Sequence, residues 1–216
     1  MKNYFLIVVI VLCFLMTSCS IRYQKYSSEE KFLLFENELN KWKHFKISGM
    51  CDIVYSSFNI IRPCVVAKSS DKIRFDVFDS GIFGLGGGIF TAFYADDKMI
   101  QYKLPGNSTI TTKTLDDKMI AWFDFLSESM FKELESNKVK IINNQYAMIR
   151  NIEFFFYPNM QLKEIKNVES EIFVWFEYNK FLELAQIKIS SPLIKNLTIS
   201  IDKIDYSDNL VIPLKK

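Results

Sequence analysis

The stretch Lys72-Ile73-Arg74-Phe75-Asp76-Val77-Phe78 alternates apolar Ile73, Phe75 and Val77 with polar Lys72, Arg74 and Asp76. Successive side chains of a strand point to opposite faces, so this period of two predicts a strand with one dry face and one wet face. The same pattern spreads outward in both directions. Upstream, 46–55 and 60–68 read as strands; downstream, 89–95 and 98–104 follow, with Asp96-Asp97 and Pro105-Gly106-Asn107 as turns. It returns through 139–149, 152–157, 171–178, 181–190 and 197–205, separated by Asn143-Asn144, Pro158-Asn159, Asn179-Lys180 and Ser191-Pro192. Connections this short make neighbouring strands antiparallel.

Two helices interrupt the strands. Ser27 and Glu30 have capping-box spacing, and Phe32, Phe35, Leu39 and Trp42 repeat every three or four residues, so a helix with one apolar face precedes the first strand. Thr114 and Asp117 open a second helical stretch over 115–137, with Met119, Trp122, Phe123, Leu126, Met130 and Leu134 on one stripe, widened by Ile120, Phe125 and Phe131. A helix so broadly apolar has two apolar neighbours: either the sheet and a cavity, or the inside of a solid core. The strands are too many for a flat sheet, so the class is α+β, mainly β, with a strongly curved or half-open antiparallel barrel of about ten to eleven strands. No repeat or linker divides 28–216, which reads as one domain.

Composition narrows the chemistry. With 49% hydrophobic and 24% charged residues, the 216-residue chain builds a core rather than a disordered tail. Its 27 basic and 25 acidic residues are interleaved, which leaves no basic footprint for nucleic acid. A single histidine and four cysteines exclude multi-histidine metal centres and most zinc sites, so neither metal nor cofactor is expected. His44 would have to serve any catalytic triad, and no nucleophile-elbow pattern accompanies it. Asp96-Asp97 and Asp116-Asp117 fall at a turn and a helix start, where structure alone accounts for them. The chain is therefore not expected to be an enzyme. Twenty phenylalanines against seven glycines and five prolines point instead to apolar surface that must be hidden.

The N-terminus reads as a targeting segment. Lys2 precedes an unbroken apolar run from Tyr4 to Met16, shorter than the roughly 20 residues a membrane span needs, so 1–18 is expected to be a removed export signal. Leu15-Met16-Thr17-Ser18-Cys19 resembles the bacterial lipobox, which implies lipidation of Cys19, with 19–27 as a polar tether. A secretory cut leaving a free thiol is the rival. Ser20 resembles the sorting signal for the outer membrane, which implies anchoring in its inner leaflet, facing the periplasm.

Cys51 and Cys64 flank the polar break Ser56-Ser57-Phe58-Asn59. If the hairpin turns at Ser57-Phe58, the two lie directly opposite one another and a cross-strand disulfide fits; two reduced core cysteines are the alternative. The tract Gly81-Ile82-Phe83-Gly84-Leu85-Gly86-Gly87-Gly88 holds five of the seven glycines and lacks G-x-G-x-x-G spacing, so phosphate binding is not expected. Its apolar residues either project from a hairpin end or fold back into the core.

Residues Trp42 to Gly49 (WKHFKISG), Lys72 to Phe78 (KIRFDVF), the following Ile82-Phe83-Gly84 loop, Ile100, Tyr102 and the central helix resemble the Lol lipoprotein-carrier fold of LolA carriers and LolB receptors across nearly all of 28–213. The resemblance implies an incomplete barrel with an N-terminal helix and a central helical lid over an apolar cavity, with Phe75, Val77, Phe93, Trp122, Phe123, Leu126 and Met130 as candidate lining. In the receptor branch the loop after such a strand touches the membrane, and Phe83 occupies the matching place, with Leu85 second and Ile82 beside them. The implied function is to bind acyl chains of lipoproteins and pass them to the outer membrane; a non-transferring binding module, sensor or assembly lipoprotein of the same fold is the alternative. The implied partners are acylated lipoproteins or free lipid and a periplasmic LolA-like carrier, with the chain itself a monomer.

Overall fold

In a computed structural model, thirteen strands form one antiparallel sheet among the described residues. The structure describes residues 26–55, 58–69, 72–79, 88–95, 99–103, 109, 111–114, 130, 132, 140–143, 146–149, 151–192 and 195–207, with the backbone alone for 55, 58, 88–95, 99–103, 113 and 140–143. The strands are β1 (His44–Tyr55), β2 (Phe58–Ser69), β3 (Lys72–Phe78), β4 (Gly88–Ala95), β5 (Met99–Lys103), β6 (Thr111–Thr114), β7 (Lys140–Asn143), β8 (Tyr146–Ile149), β9 (Ile152–Phe156), β10 (Leu162–Asn167), β11 (Ile172–Tyr178), β12 (Leu184–Ser190) and β13 (Asn196–Asp205).

The order is β6-β5-β4-β3-β2-β1-β13-β12-β11-β10-β9-β8-β7. Successive hairpins run outward from β1 on one side and from β13 on the other, and the last strand closes against the first. The two edges are β6 and β7, so the chain between Thr114 and Lys140 must connect one edge with the other.

Thirteen strands stand against the expected ten to eleven, and three places account for the excess over the ten stretches named above. β6 is Thr-Thr-Lys-Thr and has no apolar residue to mark a period. β10 reads Leu-Lys-Glu-Ile-Lys-Asn, with Leu162 and Ile165 three apart, because a bulge against β9 between Leu162 and Glu164 sends both inward. The expected strand 139–149 is a hairpin, β7 and β8.

Helix α1 (Ser28–Asn40) starts where its capping box requires: Glu30 N donates to Ser27 Oγ at 3.2 Å, and Ser27 N donates to Glu30 Oε2 at 2.7 Å. A short 3-10 turn, Lys41–Lys43, leads from it into β1. Its apolar face is core. Phe35 meets Phe154 and Phe156 edge to face with ring centroids 6.0 and 5.1 Å apart, and Trp42 meets Phe45 and Phe176 at 5.3 and 5.0 Å. Of the expected central helix, Met130 and Lys132 are described and helical, and Met130 is buried in the same core; the remainder lies outside the described residues.

The β1–β2 register corrects the expected hairpin. Tyr55 pairs with Phe58, so the connection is Ser56-Ser57, one position earlier than expected. Cys51 therefore faces Arg62, and Cys64 faces Gly49. The two cysteines are diagonal neighbours on the inner face, both buried and both free thiols. The physical reason is the turn: a shift of its centre by one residue moves every cross-strand partner by two.

Candidate functional site

The inner face of the sheet is the candidate site. From β1, β2 and β3 it receives Phe45, Ile47, Cys51, Cys64 and Val77, and from β8–β13 a continuous apolar layer that includes Ile149, Phe154, Ile165, Val174, Ile187 and Ile199. These residues form one core cluster because each strand's alternation is in phase with its neighbour's: Ile165 pairs with both Phe154 and Val174, and Cys51 pairs with Ile199.

This face has two different halves. Over β8–β11 and the start of β1, the side chains of Phe35, Leu39 and Trp42 fill it. The first helix is thus a plug rather than a cover there. Over β2 and β3, Val66 and Phe75 are only half-buried where they meet the cluster, and Val66 pairs with Phe75. Val77 pairs with Cys64 and is buried.

The register of β4 bears on Phe93. This residue pairs with Arg74, and directly opposed residues share a face, so its position lies on the outer side of the sheet with Arg74 and Asp76. The inner-face positions of β4 are Phe90, Ala92 and Tyr94, opposite Val77, Phe75 and Ile73. In Gly-Ile-Phe-Thr-Ala-Phe-Tyr-Ala, Phe90 and Phe93 have opposite parity, and only the pairing with β3 selects between them. On the outer side, Arg74 donates to both carboxylate oxygens of Asp76 at 2.6 and 3.0 Å.

A residue that the sequence reading passed over is Lys68. It is the next-to-last residue of β2, on the inner face opposite Phe45 and Ile73, is 1% exposed, and donates from Nζ to the carbonyl of Lys43 at 3.2 Å. A buried ammonium is held this way by polar partners at the end of an apolar surface. Glu38 supplies a second buried charge, paired with Lys41 at 2.6 Å. Among the described residues no group of three His, Cys, Asp or Glu side chains is placed to hold a metal ion.

The glycine tract belongs to the connection between β3 and β4, with Gly88 already paired to Phe78. Ile82, Phe83 and Leu85 lie outside the described residues, as do Cys19, Trp122, Phe123 and Leu126. That connection leaves the same end of the sheet as the β1–β2 hairpin. There Ile60 and Ile61 are 46% and 53% exposed, and Arg62 Nε lies 3.9 Å from Asp79 Oδ1.

No protein-family model matches the chain, and no curated protein matches its sequence. Solved structures do. A LolA superfamily protein from Nitrosomonas europaea is similar at 7% identity, covering 85% of this chain and 95% of that one with a TM-score of 0.43. A DUF1329 family protein from Desulfovibrio piger is similar at 6% identity, covering 87% and 96% with a TM-score of 0.49. The Mycobacterium tuberculosis lipoprotein LppX is similar at 8% identity, covering 86% and 99% with a TM-score of 0.32.

Proposed function

We propose that this chain is a lipid-anchored envelope protein that takes up acyl chains of lipoproteins beneath the β2–β4 side of its sheet and passes them to the outer membrane. The observation that carries the reading is the route of the chain. The two edges β6 and β7 are joined by 115–139, a stretch bearing Trp122, Phe123, Leu126 and Met130 on one apolar stripe, and Met130 is buried in the inner-face core. A cover over apolar strands can hold an acyl chain without covalent chemistry, because each CH₂ withdrawn from water contributes about 0.8 kcal/mol and the contact is non-directional.

In this reading Cys19 carries the anchor, Phe75, Val77, Trp122, Phe123, Leu126 and Met130 line the chamber, and Ile82, Phe83 and Leu85 bring it to the bilayer. Exposed Ile60 and Ile61 at the same end of the sheet support an apolar contact there. The partners are acylated lipoproteins or free lipid, and a periplasmic LolA-like carrier that delivers them.

Lipid extraction and mass spectrometry of the purified protein test this directly: a co-purifying acyl species is expected, with saturable uptake of a fluorescent fatty acid. No acyl species and no uptake would refute it. Phe83→Glu with Leu85→Glu should leave folding intact and abolish transfer. A second reading, a binding module that does not transfer, is favoured by one observation: Phe35 of α1 and Trp42 of the 3-10 turn after it pack their rings against Phe154, Phe156 and Phe176 on the β8–β11 half of the inner face. Uptake without transfer to vesicles distinguishes it.

A further inference from the structure

The β11–β12 turn presents Phe181 and Leu182 to solvent at 70% and 61% exposure. This is a built feature. Leu182 N donates to Asn179 O at 3.0 Å, Asn179 N donates to Glu183 O at 2.9 Å, and the Asn179 side-chain oxygen accepts from Phe181 N at 2.8 Å and from Glu183 N at 3.1 Å. The carbonyl of Leu182 accepts from Gln161 Nε2 at 2.8 Å, which ties the turn to the β9–β10 turn beside it.

That neighbouring turn is a control within the same molecule. Tyr157 N donates to Gln161 O at 2.8 Å and Met160 N to Tyr157 O at 2.9 Å, the same pattern, with Met160 at φ 65° and Leu182 at φ 63°. Both occupy the left-handed conformation that glycine or asparagine adopts at lower cost. Met160 is recompensed by burial in the core, whereas Leu182 is held strained and in water.

We propose that the Phe181-Leu182 tip inserts into the headgroup region of an anionic lipid surface. Three consecutive N–H groups are bonded within the turn, so moving it out of water leaves them satisfied. Lys180 places its ammonium 5.0 Å from the Phe181 ring centroid, and exposed Lys163 holds its own 5.8 Å from the Tyr157 ring, which sets cations beside aromatic rings as an anionic interface favours. Glu183, the acidic group of the turn, accepts from Asn179 Nδ2 at 3.0 Å. Two side chains ringed by Asn159, Gln161, Asn179, Lys180 and Glu183 offer far less than the about 800 Å² per partner of a stable protein interface. They are sufficient as a second contact for a chain tethered through Cys19, and to that extent the inference rests on the anchor proposed above. This tip and the β3–β4 connection lie at opposite ends of the sheet, so the inference stands or falls separately from acyl binding.

The test places photoreactive benzoylphenylalanine at 181 in the full chain and irradiates it in phosphatidylcholine vesicles with or without phosphatidylglycerol. A phospholipid adduct at 181 is expected, several-fold stronger with phosphatidylglycerol and absent when the probe stands at Ser200. Leu182→Gly should cut the adduct several-fold while leaving the melting temperature unchanged or raised, because glycine relaxes the turn. No lipid adduct at 181, an equal yield at Ser200, or a protein adduct in its place in cells would overturn the proposal.

Discussion

Glu38 reaches from α1 to the first residue of β10: its Oε1 accepts a hydrogen bond from Leu162 N at 3.3 Å while its Oε2 lies 2.6 Å from Lys41 Nζ. The carbonyl of Leu162 is held as well, by Tyr178 Oη at 2.9 Å. One buried carboxylate thus fixes the plug helix to the far arm of the sheet. Glu38→Leu leaves a buried N–H without its partner and should cost roughly 1–3 kcal/mol in urea unfolding. Lys41→Ala should cost less than about 1 kcal/mol, because that ammonium is half exposed.

Gly49 sits at the bulge where β1 slips against β13, and a Cβ built there would lie 1.9 Å from the Ser200 carbonyl oxygen. Backbone cannot yield as a flexible side-chain end can. Gly49→Ala should destabilise by more than about 3 kcal/mol or prevent folding, with Ser48→Ala as a control within about 0.5 kcal/mol. Equal melting temperatures for the two variants would contradict the close approach.

Tyr178 predicts the alkaline limit of stability. Burial, and after it the Glu38 carboxylate, raise its phenol above the ordinary value of 10.0. A raised folded value means that its contribution is complete below the unfolded pKa and is lost as pH rises from about 10 through the folded value. Urea midpoints should therefore fall above pH about 10. Tyr178→Phe should lose about 1 kcal/mol at neutral pH with its hydrogen bond, and should show a shallower alkaline decline. An identical slope in both proteins would remove Tyr178 from the account.

Cys51 and Cys64 should behave as a protected thiol pair. The hydrogen bond with Cys51 and burial push the Cys64 thiol up, so it stays protonated, and Cys51 Sγ donates to the Arg62 carbonyl at 3.3 Å. Iodoacetamide should leave both unmodified in the folded protein and alkylate both in denaturant without reductant. A peptide pair lighter by two hydrogens would show a disulfide instead.

Features that rest on neighbours in the chain were legible. Ser27 and Glu30 announced the start of α1 because a capping box needs only residues three apart, and the parity of Ile73, Phe75 and Val77 placed these three on one face of β3, although Asp76 on the other face is buried as well. Features that rest on one-residue phase were not. Phe93 looked like a lining residue until the pairing with Arg74 put its position on the other face. β10 hid its period behind a bulge, and β6 had no apolar residue with which to show one. Lys68 ended the expected strand 60–68, and nothing local shows that this lysine is buried.

The amino-acid order alone established an antiparallel, mainly β chain with a capped first helix, since alternation and capping are written within a few residues. Only the folded molecule decided that β13 lies against β1, that Cys51 faces Arg62, and that Phe35 and Trp42 fill the β8–β11 half of the inner face. Those outcomes depend on turn centres, bulges and the choice of packing partner. Each is a contact between segments distant in the chain, whose energy no single segment contains.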